Sequence, residues 1–147
     1  MIEFIEHTAD IGIRVFADSI NELFQIAGYG MFKIICENLD DVQCKESITG
    51  KISANDLNEL LYLFLEKLIY EFDVKGIILK CFEIEIFENH LKYKAMGEFY
   101  NPKKHKIGTG IKSPTYHKLE IKKINNKFEA VIIFDIWKSF LLFCPNK

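Results

Sequence analysis

Apolar residues follow helical spacing in two stretches of the N-terminal half of the chain. In the first, residues 20 to 35, they recur every three to four positions, and Ser19 with Glu22 three residues later forms a capping-box pattern. In the second, residues 57 to 72, they form a broad apolar stripe that begins just after Asn55 and Asp56. The pattern therefore predicts two amphipathic helices, each with one buried face.

The remaining apolar positions predict short strands. Before the first helix, Ile11, Ile13 and Val15 alternate with polar or small residues, which is typical of a strand. Further strands are expected at 48–52, 77–87, 90–96, 118–124 and 128–134, with loops at 37–46 and 97–117. The pattern predicts an α+β fold in which two amphipathic helices pack against antiparallel β-sheet layers.

Composition narrows the class of protein. The chain has 147 residues, of which 49% are apolar, enough for one domain with its own core. Its 19 basic and 21 acidic residues leave no excess of the positive charge that RNA-binding surfaces need, so we expect contact with RNA only through a partner. Neither a signal peptide nor an apolar run of about 18 residues is found, and we expect a soluble, cytoplasmic protein without a membrane segment.

The four cysteines lack the spacing of a metal site. Cys36, Cys44, Cys81 and Cys144 form no C-x-x-C pair. We expect buried free thiols, with a local disulfide between Cys36 and Cys44 as the alternative.

Two aspartates stand beside apolar strand positions. Alternation places Asp135 on the same face as Ile133, which we expect to face the core, and Asp10 lies between Ala9 and Ile11. A carboxylate near a core is costly unless it meets a cation or hydrogen-bond donors. If the two strand ends are neighbours, the carboxylates would suit Ca²⁺ or Mg²⁺. Spacing alone favours the other interpretation, in which each aspartate caps a turn or accepts backbone hydrogen bonds.

Histidines offer a second kind of site. His7, His105 and His117, together with Asp10 or Glu98, could form a zinc site or an acid–base pair. No H-x-x-x-H spacing supports this interpretation, and hydrogen-bonded structural roles explain the same residues. No serine lies in a nucleophile-elbow motif, and the segment before Lys112 does not match a phosphate-binding loop.

Four blocks resemble the signature of the archease family. They are His7-Thr8-Ala9-Asp10-Ile11-Gly12, the Gly97 to His105 segment with its G-E-x-Y-x-P-x-x-H pattern, the Gly108 to His117 segment ending in Thr-Tyr-His, and Asp135-Ile136. They occur in the family's order. Ser113-Pro114 departs from the pattern, because the family often has small apolar residues there.

The resemblance implies what the chain does. It implies an archease-like domain over residues 1 to 136, followed by an apolar extension over 137 to 147. It also implies a divalent cation, usually calcium with Mg²⁺ or Mn²⁺ as alternatives, bound by Asp10, Asp135 and the backbone carbonyl of Ile136. Further residues expected to support the site or to contact a partner are His7, Glu98, Lys112, Tyr116 and His117.

The activity implied by the resemblance belongs to a partner. Archeases assist the GTP-dependent ligase that joins tRNA halves, promoting guanylylation and turnover of its catalytic subunit, and they can broaden its use of nucleotides. The chain would then be an activator and not an enzyme. A metal-dependent hydrolase or phosphotransferase using Asp10, Asp135 and His117, and a chaperone-like binding module, are the alternatives; the sequence leaves the oligomeric state open.

Overall fold

The computed structural model describes residues 1–6 and 10–137. Within them the chain forms eight strands and two α-helices: β1 (Ile2–Glu6), β2 (Asp10–Ala17), α1 (Ile20–Ile35), β3 (Glu46–Ser53), α2 (Leu57–Lys75), β4 (Ile77–Phe87), β5 (His90–Phe99), β6 (Ile111–Pro114), β7 (Lys122–Ile124) and β8 (Lys127–Ile136). A 3₁₀ turn at Leu39–Asp41 lies between α1 and β3.

Both predicted helices form, and local hydrogen bonds fix where they begin. The Ser19 side chain accepts a hydrogen bond from the Glu22 backbone N–H at 3.1 Å, so the predicted cap forms. The Glu22 carboxylate accepts from the Asp18 N–H, one residue before the N–H that a standard capping box uses. Asp56 caps α2 by accepting from the Glu59 N–H at 2.8 Å. No helix in the described ranges is long and apolar enough to cross a membrane.

Two antiparallel sheets enclose the helices. The first has the order β1-β2-β8-β6, with β7 also paired to β8, and the second has the order β3-β5-β4. Helix α1 packs on β2 of the first sheet and on β4 of the second, and α2 packs on β6 and β4. Rings from three elements meet in the core, where Phe64 lies 5.7 Å from Phe24 and 5.6 Å from Tyr93 between ring centroids. The predicted α+β fold is confirmed.

Several strand predictions were wrong in detail. The expected loop at 97–117 contains the end of β5 and all of β6, because these short segments pair with neighbouring strands without a clear apolar alternation of their own. Of the expected strand at 118–124, only β7 pairs with β8. The segment from Ile2 to Glu6, which carried no strand prediction, pairs with β2 along its whole length.

The cysteine prediction was also wrong. Cys44 and Cys81 form a disulfide, with 37 residues of sequence separation and Cα atoms 6.2 Å apart. Cys36 is a free buried thiol, as expected, and has no part in a Cys36–Cys44 bond. Pairing across this distance depends on β4 lying beside the loop before β3, which local spacing does not reveal. Cys144 lies outside the described residues.

Candidate metal centre

The two candidate aspartates face each other across neighbouring strands. Asp10 opens β2, Asp135 lies near the end of β8, and the antiparallel register makes them direct partners. Directly opposed residues of such a pair project to the same face with Cβ atoms about 4.5–5.5 Å apart. The fold therefore brings together two carboxylates that lie at opposite ends of the sequence.

The face that carries them is not the one predicted. Ile133 is buried, but it does not belong to the main core cluster, which contains Ile132 and Phe134 from the same strand. Alternation then places Ile133 and Asp135 together on the opposite face of the first sheet. The prediction that Asp135 follows a position facing the main core was wrong. Residues 132 to 134 of β8 are all buried, so their apolar character alone does not show which face of the strand meets that core.

One oxygen of the pair lacks a partner. Asp10 is half-buried, and its Oδ1 atom is inaccessible to solvent without accepting a hydrogen bond from any described residue. Leaving such an oxygen unsatisfied costs roughly 1–3 kcal/mol, and more when it is charged. A cation shared with Asp135 would satisfy it, so the donor set fits a hard divalent ion with oxygen ligands.

A third strand, β6, places a serine beside the aspartate pair. Ser113 of β6 lies directly opposite Asp135, so the order Asp10, Asp135, Ser113 runs across three adjacent strands. The register of β6 shifts between Ile111 and Ser113, and Lys112 occupies this irregularity with an exposed side chain. The shift makes Ser113 the register partner of Asp135, a placement that the sequence pattern did not indicate.

The third predicted ligand also lies beside β6. Ile136 is the register partner of Ile111, and the next residue, Trp137, donates its backbone N–H to the Gly110 carbonyl at 2.9 Å. The ammonium of Lys112 lies 5.4 Å from the centroid of the Trp137 ring. The segment Gly110–Ser113 is thus held against the end of β8, next to Asp135.

Two stacked aromatic rings, one of them on α2, lie within electrostatic reach of Asp135. The rings of Tyr116 and Tyr62 stack with centroids 4.0 Å apart, and Tyr116 remains 53% exposed. Burial and the nearby Glu66 carboxylate raise the pKa of Tyr62, with a smaller contribution from Asp135. Burial and carboxylates on and before α2, Glu59 first, also raise the pKa of Tyr116. Tyr62 was missed by the sequence analysis because it belongs to an ordinary helical stripe.

The histidine candidates do not converge on the aspartate pair. His117 is exposed, and its backbone N–H donates to the Thr115 hydroxyl at 3.3 Å. Within residues 1–6 and 10–137, no group of three or more His, Cys, Asp or Glu side chains is placed to hold a metal ion. His7 lies outside the described residues, so its predicted role stays a prediction.

Glu98 and His105 belong to a separate buried cluster. Both are buried, and His105 Nε2 lies 2.7 Å from Glu98 Oε1. The Asn101 backbone N–H donates to His105 Nδ1, so Nε2 carries the proton and donates to the carboxylate. Burial of Glu98 would raise its pKa, but hydrogen bonds from Lys104 and His105 outweigh this effect and lower the pKa to about 2. The cluster anchors the loop after β5, which is a structural role.

The comparisons with known proteins agree with the four sequence blocks. The Archease protein family (MTH1598/TM1083) matches residues 2–136. The chain belongs to the archease family. Protein archease of Pyrococcus abyssi is 37% identical over 139 residues, covering 91% of this chain and 97% of its own length. That of Sulfurisphaera tokodaii is 36% identical over 136 residues, with the same coverage.

Solved structures share the archease fold. The solution structure of Methanobacterium thermoautotrophicum protein 1598 matches with a TM-score of 0.80 and 29% identity, covering 91% of this chain and 97% of that one. A Thermotoga maritima crystal structure, described as an archease and possible chaperone, matches with a TM-score of 0.64 and 23% identity, which shows the fold alone.

Proposed function

We propose that this archease binds one divalent cation, most readily Ca²⁺, between Asp10, Asp135 and the Ile136 carbonyl, with Mg²⁺ or Mn²⁺ as alternatives. The observation that supports this site best is the Asp10 oxygen, which is buried without a hydrogen-bond partner among the described residues and lies beside a second carboxylate. Calcium takes oxygen ligands from carboxylates and backbone carbonyls in flexible geometry. Ser113 would supply a further neutral oxygen from β6.

The proposed activity is assistance to another enzyme. We propose that the chain promotes guanylylation and turnover of a GTP-dependent RNA-splicing ligase in the cytoplasm, performs no bond-making step itself, and can broaden the ligase's use of nucleotides. Family membership supports an accessory role. A bound cation would neutralise the two carboxylates and tie the start of β2 to the end of β8. Lys112 and Tyr116, both exposed beside that junction, would then meet the ligase.

The near-neutral charge of the chain supports contact with RNA only through the ligase. With 19 basic and 21 acidic residues, the protein has little excess charge to neutralise phosphates.

The proposed cytoplasmic location also bears on the disulfide. The Cys44–Cys81 bond would form in a compartment where disulfides are uncommon outside hyperthermophiles.

Calcium binding is the first test of the site. Isothermal titration with Ca²⁺ should show one site in the wild type, and Asp10→Asn and Asp135→Asn should each abolish it. Glu83→Gln, an exposed carboxylate on the second sheet, is the matched control and should bind as the wild type does. Equal binding by Asp10→Asn and the wild type would refute the proposed site.

Ligase activation is the second test. A purified GTP-dependent RNA ligase is incubated with GTP and divalent cation, and its guanylylation and multiple-turnover ligation are followed with each variant. We expect stimulation by the wild type and by Glu83→Gln, and none by the two aspartate variants. If the wild type binds Ca²⁺ and leaves ligase turnover unchanged, the activator role is wrong while the cation site stands.

A further inference from the structure

The second sheet ends in a strand with one free edge. β3 lies at the outside of the order β3-β5-β4, and β5 is its only strand partner in the described part of the chain. The opposite edge therefore presents backbone N–H and C=O groups that no described strand pairs. Such an edge is a template for another strand.

A cleft of about 460 Å³ runs between this edge and α2. Gly50 to Ile52 of β3, together with Tyr93 of β5, line one wall, so the cleft lies on the helix-facing side of the sheet at its β3 margin. The other wall is one stripe of α2, formed by Leu63, Glu66, Lys67 and Tyr70 at spacings of three, four and seven residues. The Tyr70 side chain is 50% exposed although it is a large aromatic residue. An edge strand facing a helix across an apolar cleft is the arrangement by which strand-adding domains bind peptides.

Gly50 opens the floor of this cleft to Tyr93. The two residues are register partners, and a Cβ atom at Gly50 would lie 2.6 Å from the Tyr93 ring and hydroxyl. The ring therefore occupies the space that a side chain at Gly50 would take. Tyr93 is only 4% exposed, and its hydroxyl is buried with no hydrogen-bond partner among the described residues. Burial raises the Tyr93 pKa to about 12, so the hydroxyl stays protonated and available to donate.

On the outer face of the second sheet, one row of charged side chains has two lysines and only one carboxylate. Lys92 of β5 lies opposite Glu85 on one side and opposite Lys51 on the other. Like charges directly opposite each other are destabilising. Lys51 forms no ion pair with the residues that the structure describes, and it is the last charge in its row. A strand added beside β3 would bring its own side chain next to Lys51, and a carboxylate there would offset both lysines.

We propose that the free edge of β3, with the cleft against α2, binds an extended peptide segment of a partner protein. The segment adds as a fourth strand, places an acidic side chain beside Lys51, and inserts an apolar side chain into the cleft near Tyr70 and Tyr93. A second copy of this chain fits less well, because it would bring another lysine-bearing edge to the same place. This binding site is separate from the aspartate pair and does not depend on the proposed ligase function.

The probe is a synthetic octapeptide of alternating leucine and glutamate, acetylated and amidated at its ends, titrated into ¹⁵N-labelled protein. Saturable amide shifts are expected along β3 and on the cleft side of α2, with a Kd on the order of 1 mM or below. The matched peptide with lysine in place of glutamate should bind more weakly. Absence of saturable shifts, or equal affinity for both peptides, would overturn the proposal.

Variants separate the edge from the rest of the surface. Lys51→Glu should weaken binding of the glutamate peptide about fivefold, since an attractive cross-strand pair becomes repulsive. Tyr70→Ala should also weaken it, because the residue forms part of the cleft wall. Lys122→Glu, an exposed lysine on β7 of the other sheet, is the control and should leave the affinity unchanged.

Two further measurements complete the test. Tyr93→Phe should keep the fold, by circular dichroism, and lose affinity for the peptide, because the Tyr93 hydroxyl would no longer be able to donate a hydrogen bond to a backbone carbonyl of the added strand. Peptide shifts confined to β1, an edge strand of the other sheet, would contradict the assignment. A dimer in sedimentation experiments whose contact shifts map to β3 would make a second copy the occupant and overturn the proposal of a partner segment.

Discussion

Replacing Glu98 with glutamine tests whether the buried charge cluster stabilises the fold. The carboxylate is 3% exposed, with Lys104 Nζ and His105 Nε2 each 2.7 Å from Oε1, and with the Lys45 ammonium 3.9 Å from Oε2. Glutamine has nearly the same shape and can still accept hydrogen bonds, but it removes the charge. The substitution therefore isolates electrostatics from packing.

The magnitude follows from the pKa of the buried group. Burial of Glu98 opposes ionisation, yet the hydrogen bonds from Lys104 and His105 lower its pKa from the ordinary 4.5 to about 2. Each pKa unit corresponds to 1.36 kcal/mol, so the ionised carboxylate contributes about 3 kcal/mol to the free energy of unfolding at neutral pH. Because the folded-state pKa is the lower one, this contribution is complete above pH 4.5 and disappears as the pH falls towards 2.

The assay is urea unfolding of the wild type and Glu98→Gln across pH 2 to 7, followed by circular dichroism. We expect a difference in the free energy of unfolding of about 3 kcal/mol at pH 7 that shrinks towards zero near pH 2. Glu83→Gln, an exposed carboxylate on β4, should differ little from the wild type at any pH. A Glu98→Gln difference that is the same at both ends of the pH range would refute the electrostatic reasoning.

Three other changes have definite expected outcomes. Removing the disulfide with Cys44→Ser and Cys81→Ser should lower the free energy of unfolding by about 4 kcal/mol, a value that follows from the 37-residue separation of the two cysteines. The corresponding fall in Tm, measured by calorimetry, is roughly 8–16 °C. An unchanged Tm in oxidised samples would contradict this. Gly97→Ala should lower the free energy of unfolding in urea by about 3 kcal/mol, because the new Cβ would clash with the Ile78 carbonyl oxygen, a backbone atom that cannot easily move away. Wild-type stability of this variant would disprove the close approach. Tyr116→Ala should lower the free energy of unfolding in urea by about 1 kcal/mol, because its ring no longer stacks on Tyr62. A loss as large as that caused by truncating a core residue would show a larger role for the ring.

The helices could be predicted from the sequence because their signals are local. The 3.6-residue periodicity and the capping pattern at Ser19 and Glu22 lie within a few residues of the structure they specify. The α+β class follows in the same way from two helical stretches among alternating ones. The family signature also singled out Asp10 and Asp135 as candidate ligands, since four ordered motifs carry more information than any one of them.

Other features were decided only by tertiary structure. Strand register decides that Asp10 and Ser113 both lie opposite Asp135, on the two strands beside β8. This register is fixed by pairing between segments far apart in sequence. The Cys44–Cys81 bond required β4 to lie beside the loop before β3. In each case the residues could be read from the sequence, but which of them lie together was decided by long-range packing that no local pattern records.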